Sequence, residues 1–225
     1  MHRRAFGRAT MVVVLCGTVA FAVSGCAFGR SEIPVEVPHG EAAAGLVPVR
    51  ITEVRDRRQF STHPPDASMP SLGDEADIGN PAITTRAIGR KRNGYGMALG
   101  DIVLPEGSTV PGLVRDAARQ ALAARGYRVV EANSPDYART PSLALDINQF
   151  WTWFSPGFWQ ITLRFDALIR MKGNMVAAPN DPAHGHAEED AFSGVESNWQ
   201  EVVQAGLKDL VRAMEANIAP ASGGS

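Results

Sequence analysis

Residues 143–171 constrain the fold more than any other part of this 225-residue chain. Apolar and polar side chains alternate through most of this stretch, which is typical of β-strands with one buried face. Ser155, Pro156 and Gly157 interrupt the alternation near its middle, and a three-residue loop that ends in glycine can close a hairpin. The stretch therefore predicts one long β-hairpin that bends at these three residues.

The predicted loop also sets the register of the hairpin. Pairing Phe154 with Phe158 places Trp153 opposite Trp159 and brings the tryptophans of the hairpin onto one face. We expect that face to be buried under helices. The opposite face then carries three phenylalanines near the tip, and together they predict an exposed partner-binding patch: Phe150, Phe154 and Phe158.

Two amphipathic helices are predicted outside the hairpin. The first begins at Thr109 or the serine before it, has Pro111 in its first turn, and ends before Gly126. The second begins at Ser193 or four residues later, because both serines start a capping-box spacing. The element order β-β-β-α-β-β-β-α, with about six strands, predicts an α+β fold of two layers. We expect both helices to pack on one face of the sheet.

The first 25 residues carry a signal for export. Arg3, Arg4 and Arg8 precede an apolar run that is too short to span a bilayer comfortably, and small residues follow the run. This is the layout of a secretory signal peptide. Residues 23–26, Val-Ser-Gly-Cys, resemble the lipobox of bacterial lipoproteins. The resemblance implies cleavage before Cys26, acylation of Cys26 with palmitate-type chains, and attachment to a membrane through those chains.

The sequence predicts four segments: a lipoprotein signal peptide over 1–25, a flexible tether over 26–45, an α+β periplasmic domain over 46–217 and a disordered tail over 218–225. The tether is expected because this stretch is rich in Pro, Gly and Ala and shows no usable period. Alanine follows Cys26 where enterobacterial sorting would read an aspartate. By that resemblance, we expect the outer membrane of a Gram-negative bacterium, with the domain facing the periplasm.

Short motifs link the predicted domain to a known family. They are Asp-Arg at 56–57, Ala-Ile-Gly at 87–89 and Arg-Gly-Tyr-Arg-Val at 125–129. With these motifs the chain resembles the YajG-type family of uncharacterised outer-membrane lipoproteins over roughly 46–217, although a proline-rich insertion at 59–81 does not align. The resemblance implies an outer-membrane lipoprotein without known enzymatic activity, and it carries over no functional residues.

The charge of the chain disfavours nucleic acid as a partner, and its cysteine content leaves no disulfide for the domain. The chain has a formal charge of −2, and loss of the three signal-peptide arginines leaves 19 basic and 24 acidic residues. The mature protein is therefore acidic, which disfavours nucleic acid as a partner. Cys16 lies in the signal peptide, so no disulfide is available to the domain. The basic segments 55–58 and 90–92 are predicted as solvent-exposed strand ends.

No catalytic, metal or cofactor site is predicted. The sequence lacks a nucleophile elbow, a phosphate loop and a dinucleotide fingerprint. His184 and His186 alternate along a weakly marked last strand and can share an ion, but no third ligand follows at a fixed spacing. We therefore expect a non-catalytic lipoprotein that binds or scaffolds an envelope protein. Two alternatives stay open: an auxiliary lipoprotein of an ABC-type lipid or solute transporter, and a metal-assisted envelope enzyme that uses the two histidines.

Overall fold

The structure is a computed structural model that describes residues 29–38, 45, 47–93, 95–157, 159–177 and 181–221. The predicted signal peptide, Cys26 and Phe158 lie outside these residues. The elements, in chain order, are β1 (Ser31–Glu32), β2 (Val47–Asp56), α1 (Glu75–Ile78), α2 (Pro81–Thr84), β3 (Ala87–Arg92), β4 (Ala98–Val103), α3 (Val110–Ala124), β5 (Tyr127–Val129), β6 (Ser142–Pro156), β7 (Ile161–Gly173), β8 (Ala183–Ala191) and α4 (Glu196–Asn217).

The strands of the described residues form one eight-stranded mixed sheet around β6. β7 lies antiparallel along one side of β6, and β2 and β3 lie end to end along the other side, both parallel to β6. β5 extends the sheet beyond β2, β4 and β1 extend it beyond β3, and β8 extends it beyond β7. The long helices α3 and α4 share one apolar core with one face of this sheet. The predicted α+β fold, with both long helices on one face of the sheet, is therefore confirmed.

The two long helices begin for different reasons. Thr109 caps α3, since its hydroxyl oxygen accepts a 3.1 Å hydrogen bond from the Gly112 amide, as the sequence predicts. The N-cap of α4 is Val195, whose side chain makes no capping hydrogen bond, so neither predicted serine caps this helix. Burial of the apolar stripe of α4 against β7 and β8 stabilises the helix instead.

The predicted register of the hairpin is wrong. Phe154 pairs with Leu163, so the loop between β6 and β7 is longer than three residues. A β-bulge between Ile147 and Gln149 adds one residue to β6. Successive side chains of a strand point to opposite faces of the sheet. One extra residue therefore moves every later side chain of β6 to the opposite face from the one predicted.

The exchange of faces moves the hairpin aromatics to the opposite sides of the sheet from those predicted. Phe150 and Phe154 face the helices, with only 0% and 9% of their surface exposed. The predicted partner-binding patch is therefore wrong for these two residues, and Phe158 lies outside the described part of the chain. Trp151 and Trp153 are also buried, but in a second core on the opposite face of the sheet.

The insertion at 59–81 covers this second core. The Trp151 ring nitrogen donates to the Ala67 carbonyl at 3.3 Å, and the Gln149 amide nitrogen donates to the Ser68 carbonyl at 2.7 Å. The Phe60 ring contacts the Trp151 ring edge-on, with centroids 6.0 Å apart. A segment without sequence periodicity thus acts as a third, partial layer, which hides two tryptophans from water.

The predicted tether and tail are partly wrong, because described residues on both sides of the domain pack against it. β1 pairs with β4, and Ile33 and Val35 are buried in the main core. At the other end, Ile218 is buried and the Ala221 amide donates to the Arg125 carbonyl at 2.9 Å. The ordered domain therefore includes 29–38 and 218–221, since apolar side chains there have a core to enter.

Candidate functional site

Large exposed apolar side chains gather at one end of the sheet. β3, β6 and β8 finish at this end, and β1, β4 and β7 begin there, as the pairings show. The turns and strand ends at this edge carry most of the exposed large apolar side chains of the described residues. We call this group the apolar end, and it consists of Tyr95, Met97, Trp159, Phe192 and Val195.

The apolar end is wide and prominent. Tyr95 and Met97 lie in the β3–β4 turn, Trp159 in the β6–β7 loop, and Phe192 directly after β8. At this end the strands lie side by side in the order β4, β3, β6, β7 and β8. Neighbouring strands are about 4.8 Å apart, so these five strands spread the exposed side chains over roughly 20 Å. Tyr95 and Phe192 are each 91% exposed and Trp159 is 84% exposed. This edge is therefore the candidate interaction surface of the described residues.

The amino-terminal segment enters the domain at this same end. β1 runs parallel to β4, and the Gly29 amide donates to the Leu99 carbonyl at 2.9 Å, close to the β3–β4 turn. The approach is so close that a Cβ atom on Gly100 would lie 1.7 Å from the Gly29 oxygen. Only glycine fits at position 100 without a backbone shift, because the entering segment lies directly against it.

Polar contacts hold the entering segment in place. The Lys91 ammonium donates to the Ser31 hydroxyl at 2.9 Å, and that hydroxyl donates to the Glu196 carboxylate at 2.7 Å. The Gln200 side chain donates to the Pro34 carbonyl at 2.8 Å. The segment is thus joined both to the sheet and to the first turns of α4, so the entry point at the apolar end is fixed relative to the domain.

The sequence predicts solvent-exposed strand ends at both basic segments, and this prediction is wrong for Arg58, Arg90 and Lys91, which are buried. Arg57 is exposed as predicted. The Arg90 guanidinium donates to the Leu72 carbonyl at 2.8 Å and lies 3.8 Å from the Asp101 carboxylate. Burial raises the pKa of Asp101 and lowers the pKa of Arg90. Arg58 and Arg90 thus attach the 59–84 segment, which is the insertion together with α2, to the sheet, whereas Lys91 binds the amino-terminal segment. The role of these cations is structural.

The sequence-based analysis misplaces Trp159 and does not select the other residues of the apolar end. The predicted register places Trp159 on the buried face opposite Trp153, but the longer loop moves it to the surface. Tyr95 and Phe192 both lie beside glycine or serine in turn-like stretches. An aromatic side chain in such a stretch has no core to enter, so its position in the sequence indicates that it is exposed.

The two histidines considered as metal ligands lie away from the apolar end. His184 and His186 are exposed on β8, an edge strand, on the face opposite the helices. Both ring systems approach Asp166 on β7. The structure therefore brings a carboxylate to the histidines that their sequence spacing could not provide.

Among the described residues, no helix is long and apolar enough to cross a bilayer. α4 has 22 residues, but charged side chains recur along its outer face.

Among known proteins, only solved structures show a likeness to this chain. The chain matches no protein-family profile and no curated protein. Two solved structures are similar to it at low TM-scores. One is an uncharacterized protein with 9% identity, a TM-score of 0.38, and coverage of 84% of this chain and 97% of that chain. The other is protein XCC0632 from Xanthomonas campestris, of the DUF330 family, with 10% identity, a TM-score of 0.34, and coverage of 84% and 90%. At these scores the likeness carries no argument about function, and the YajG-type resemblance stays a prediction.

Proposed function

We propose that this chain is a lipid-anchored lipoprotein of the bacterial envelope that rests on the membrane by the apolar end of its sheet and scaffolds a periplasmic partner without catalysis. The proposal rests on one observation, which is that the apolar end and the entry point of the amino-terminal segment lie close together. The apolar end lies at the same edge of the sheet as Gly29, which follows the predicted lipidated Cys26 by three residues.

The short distance from Cys26 to the domain limits how far the domain can stand from the lipid. Consecutive Cα atoms are 3.8 Å apart, so the three steps from Cys26 to Gly29 span at most about 11 Å. Acyl chains on Cys26 would therefore hold the apolar end against the interface. This replaces the long tether expected from the sequence.

The chemistry of the apolar end suits a lipid interface. Tryptophan and tyrosine combine an apolar ring with a polar group, and they concentrate at the boundary between headgroups and acyl chains. Partial burial of the five side chains of the apolar end, of which one is tryptophan and one is tyrosine, is worth together about 4 kcal/mol, or roughly a thousandfold in partition. The mature protein is acidic, so attraction to anionic lipid cannot replace this apolar contribution.

The same orientation supports the scaffolding role. β6 has 15 residues, which at about 3.3 Å each extend roughly 50 Å away from the apolar end. In this orientation the strands run away from the membrane, and the segments that cover both faces of the sheet are exposed to the periplasm. Crosslinking in intact envelopes is expected to recover a partner protein, and recovery of the chain only by itself, with no phenotype on deletion, would count against this part of the proposal.

Lipid anchoring is tested by labelling cells with palmitate and separating membranes from the periplasm. We expect the wild-type chain to take up label and to sediment with outer membranes. Cys26→Ala is expected to take up no label and to be released as a folded periplasmic protein. Equal labelling and equal sedimentation of the two chains would contradict the anchor.

Docking by the apolar end is tested separately with the Cys26→Ala chain and phosphatidylcholine vesicles. Replacing Trp159 and Phe192 together by serine should lower vesicle partition by roughly 30-fold, because about 2 kcal/mol of apolar contact is lost. Met69→Ser is the matched control, since Met69 is an exposed apolar residue in the 59–81 insertion, away from the apolar end. An equal effect of the control, or no effect of the double variant, would contradict docking.

A further inference from the structure

We infer that His184, His186 and Asp166 form a binding site for one divalent transition-metal ion of the zinc class. The site lies on the β7–β8 edge of the sheet and is separate from the apolar end. It requires neither lipid anchoring nor membrane docking, and it has no catalytic role in this proposal.

The strand register places the three side chains together. Asp166 on β7 pairs directly with His186 on β8, and His184 lies two residues away on the same face. One nitrogen of each ring lies 2.8 Å from the same Asp166 oxygen, Nε2 from His184 and Nδ1 from His186. The three ligand atoms all lie within 4.8 Å of one another. An ion with bonds of about 2.0–2.2 Å can contact all three after small rotations of the side chains.

The donor set selects the class of metal. Two imidazoles and one carboxylate are ligands that zinc and its neighbours prefer, whereas calcium and magnesium prefer oxygen ligands alone. The three side chains are partly or fully exposed, so an ion can enter from solvent and water can complete its coordination.

A further carboxylate lies beside the outer nitrogen of one ligand. The Glu188 Oε1 atom is 3.6 Å from Nε2 of His186, the ring nitrogen that does not face Asp166, and this distance is too long for a hydrogen bond. Arg164 forms an ion pair with the same Glu188 oxygen at 3.3 Å. Metal-binding histidines usually direct their second nitrogen at a carboxylate. A small shift of the Glu188 side chain would give His186 such a partner when Nδ1 binds the ion.

The backbone that carries the histidines is held rigidly. A Cβ atom on Gly185, between the two histidines, would lie 2.5 Å from the Leu210 Cβ, so this glycine lets β8 pack directly on α4. The His186 amide also donates to the Asp209 carboxylate at 3.1 Å. A site with ligands on two paired strands is thus pre-organised, since little backbone freedom is lost on binding.

The test is titration of the full chain, purified in detergent and freed of metal with EDTA, with zinc by calorimetry and with cobalt by visible absorption. We expect one ion per chain and the visible bands of four-coordinate cobalt. His184→Ala, His186→Ala and Asp166→Asn should each weaken zinc binding by about 100-fold or more, and Glu188→Gln by about 10-fold.

The matched control is His63→Ala, because His63 is also exposed and its ring lies 2.9 Å from the hydroxyl of the neighbouring Thr62. It should leave zinc binding unchanged. Unaltered circular dichroism of the metal-free variants shows that the substitutions act on the site. Absence of saturable binding, or equal binding by wild type and His186→Ala, would overturn the inference.

Discussion

Arg58 is the residue through which the fold of the insertion can be tested most sharply. Its side chain is 0% exposed, and its guanidinium donates to the carbonyls of Ala87, Phe150 and Thr84 and to both oxygens of Asp56. The contacts range from 2.6 to 3.1 Å. One side chain thus joins β2, the central strand β6, the start of β3 and the end of the 59–84 segment.

Replacing Arg58 by alanine leaves a carboxylate and three carbonyl oxygens without this donor. Each buried acceptor left unpaired costs about 1–3 kcal/mol, and breaking a buried ion pair by removing one partner costs about 3–5 kcal/mol. Because water can reach part of the vacated space, we take the lower range and expect a loss of about 4 kcal/mol. With a urea slope of about 2 kcal/mol/M, the midpoint should fall by roughly 2 M.

The measurement is urea unfolding followed by tryptophan fluorescence, with limited proteolysis of the 59–84 segment as a second readout. Arg57→Ala is the matched control, since Arg57 is 53% exposed and its nearest carboxylate oxygen, on Asp146, is 3.7 Å away. The control should cost less than about 1 kcal/mol. If Arg58→Ala shifts the midpoint by under 0.5 M, a threshold set at about a quarter of the estimate, and leaves the segment protease-resistant, the account of the insertion as a fixed layer is refuted.

Three further predictions concern the core and the charges on it. Lys172 and the nearby arginines lower the pKa of Asp146, so its stabilisation is full above about pH 4 and fades as the pH falls through the depressed value. Asp146→Asn should therefore be destabilised at pH 6 and approach wild type near pH 2–3 in thermal unfolding. Phe150→Ala should lose about 3–5 kcal/mol in urea unfolding, whereas Phe192→Ser should stay within about 0.5 kcal/mol, and similar losses would contradict the assigned faces. Gly206→Ala should lose about 1–3 kcal/mol, because the new Cβ atom would lie 2.0 Å from the Phe165 ring, and an unchanged melting temperature would contradict that packing.

Local signals in the sequence predict the two long helices and the hairpin, because periodicity is a local property, but they do not predict α1, α2 or the N-cap of α4. Thr109 with Pro111 marks the start of α3, and the alternation in 143–171 marks the hairpin. The register could not be predicted in the same way. Both faces of β6 are apolar, so a bulge at 147–149 leaves the alternating pattern acceptable in either phase.

Long-range contacts explain the remaining differences. The insertion covers Trp151 and Trp153 without any periodicity, since irregular segments bury single side chains and not a repeating face. Asp166 joins His184 and His186 from a neighbouring strand, so no spacing within one motif could reveal it. The apolar end likewise combines turns that lie far apart in sequence, and only the sheet topology brings them to one edge.

Quenching of Trp159 by brominated lipid tests the central claim most directly. The chain has four tryptophans, and Trp159 is exposed while Trp151, Trp153 and Trp199 are buried. We expect vesicles with brominated acyl chains to quench one component of the fluorescence of the lipidated protein, and we expect Trp159→Phe to remove that component. If the protein floats with the vesicles while its fluorescence stays unquenched, the apolar end does not enter the membrane and the proposed orientation is wrong.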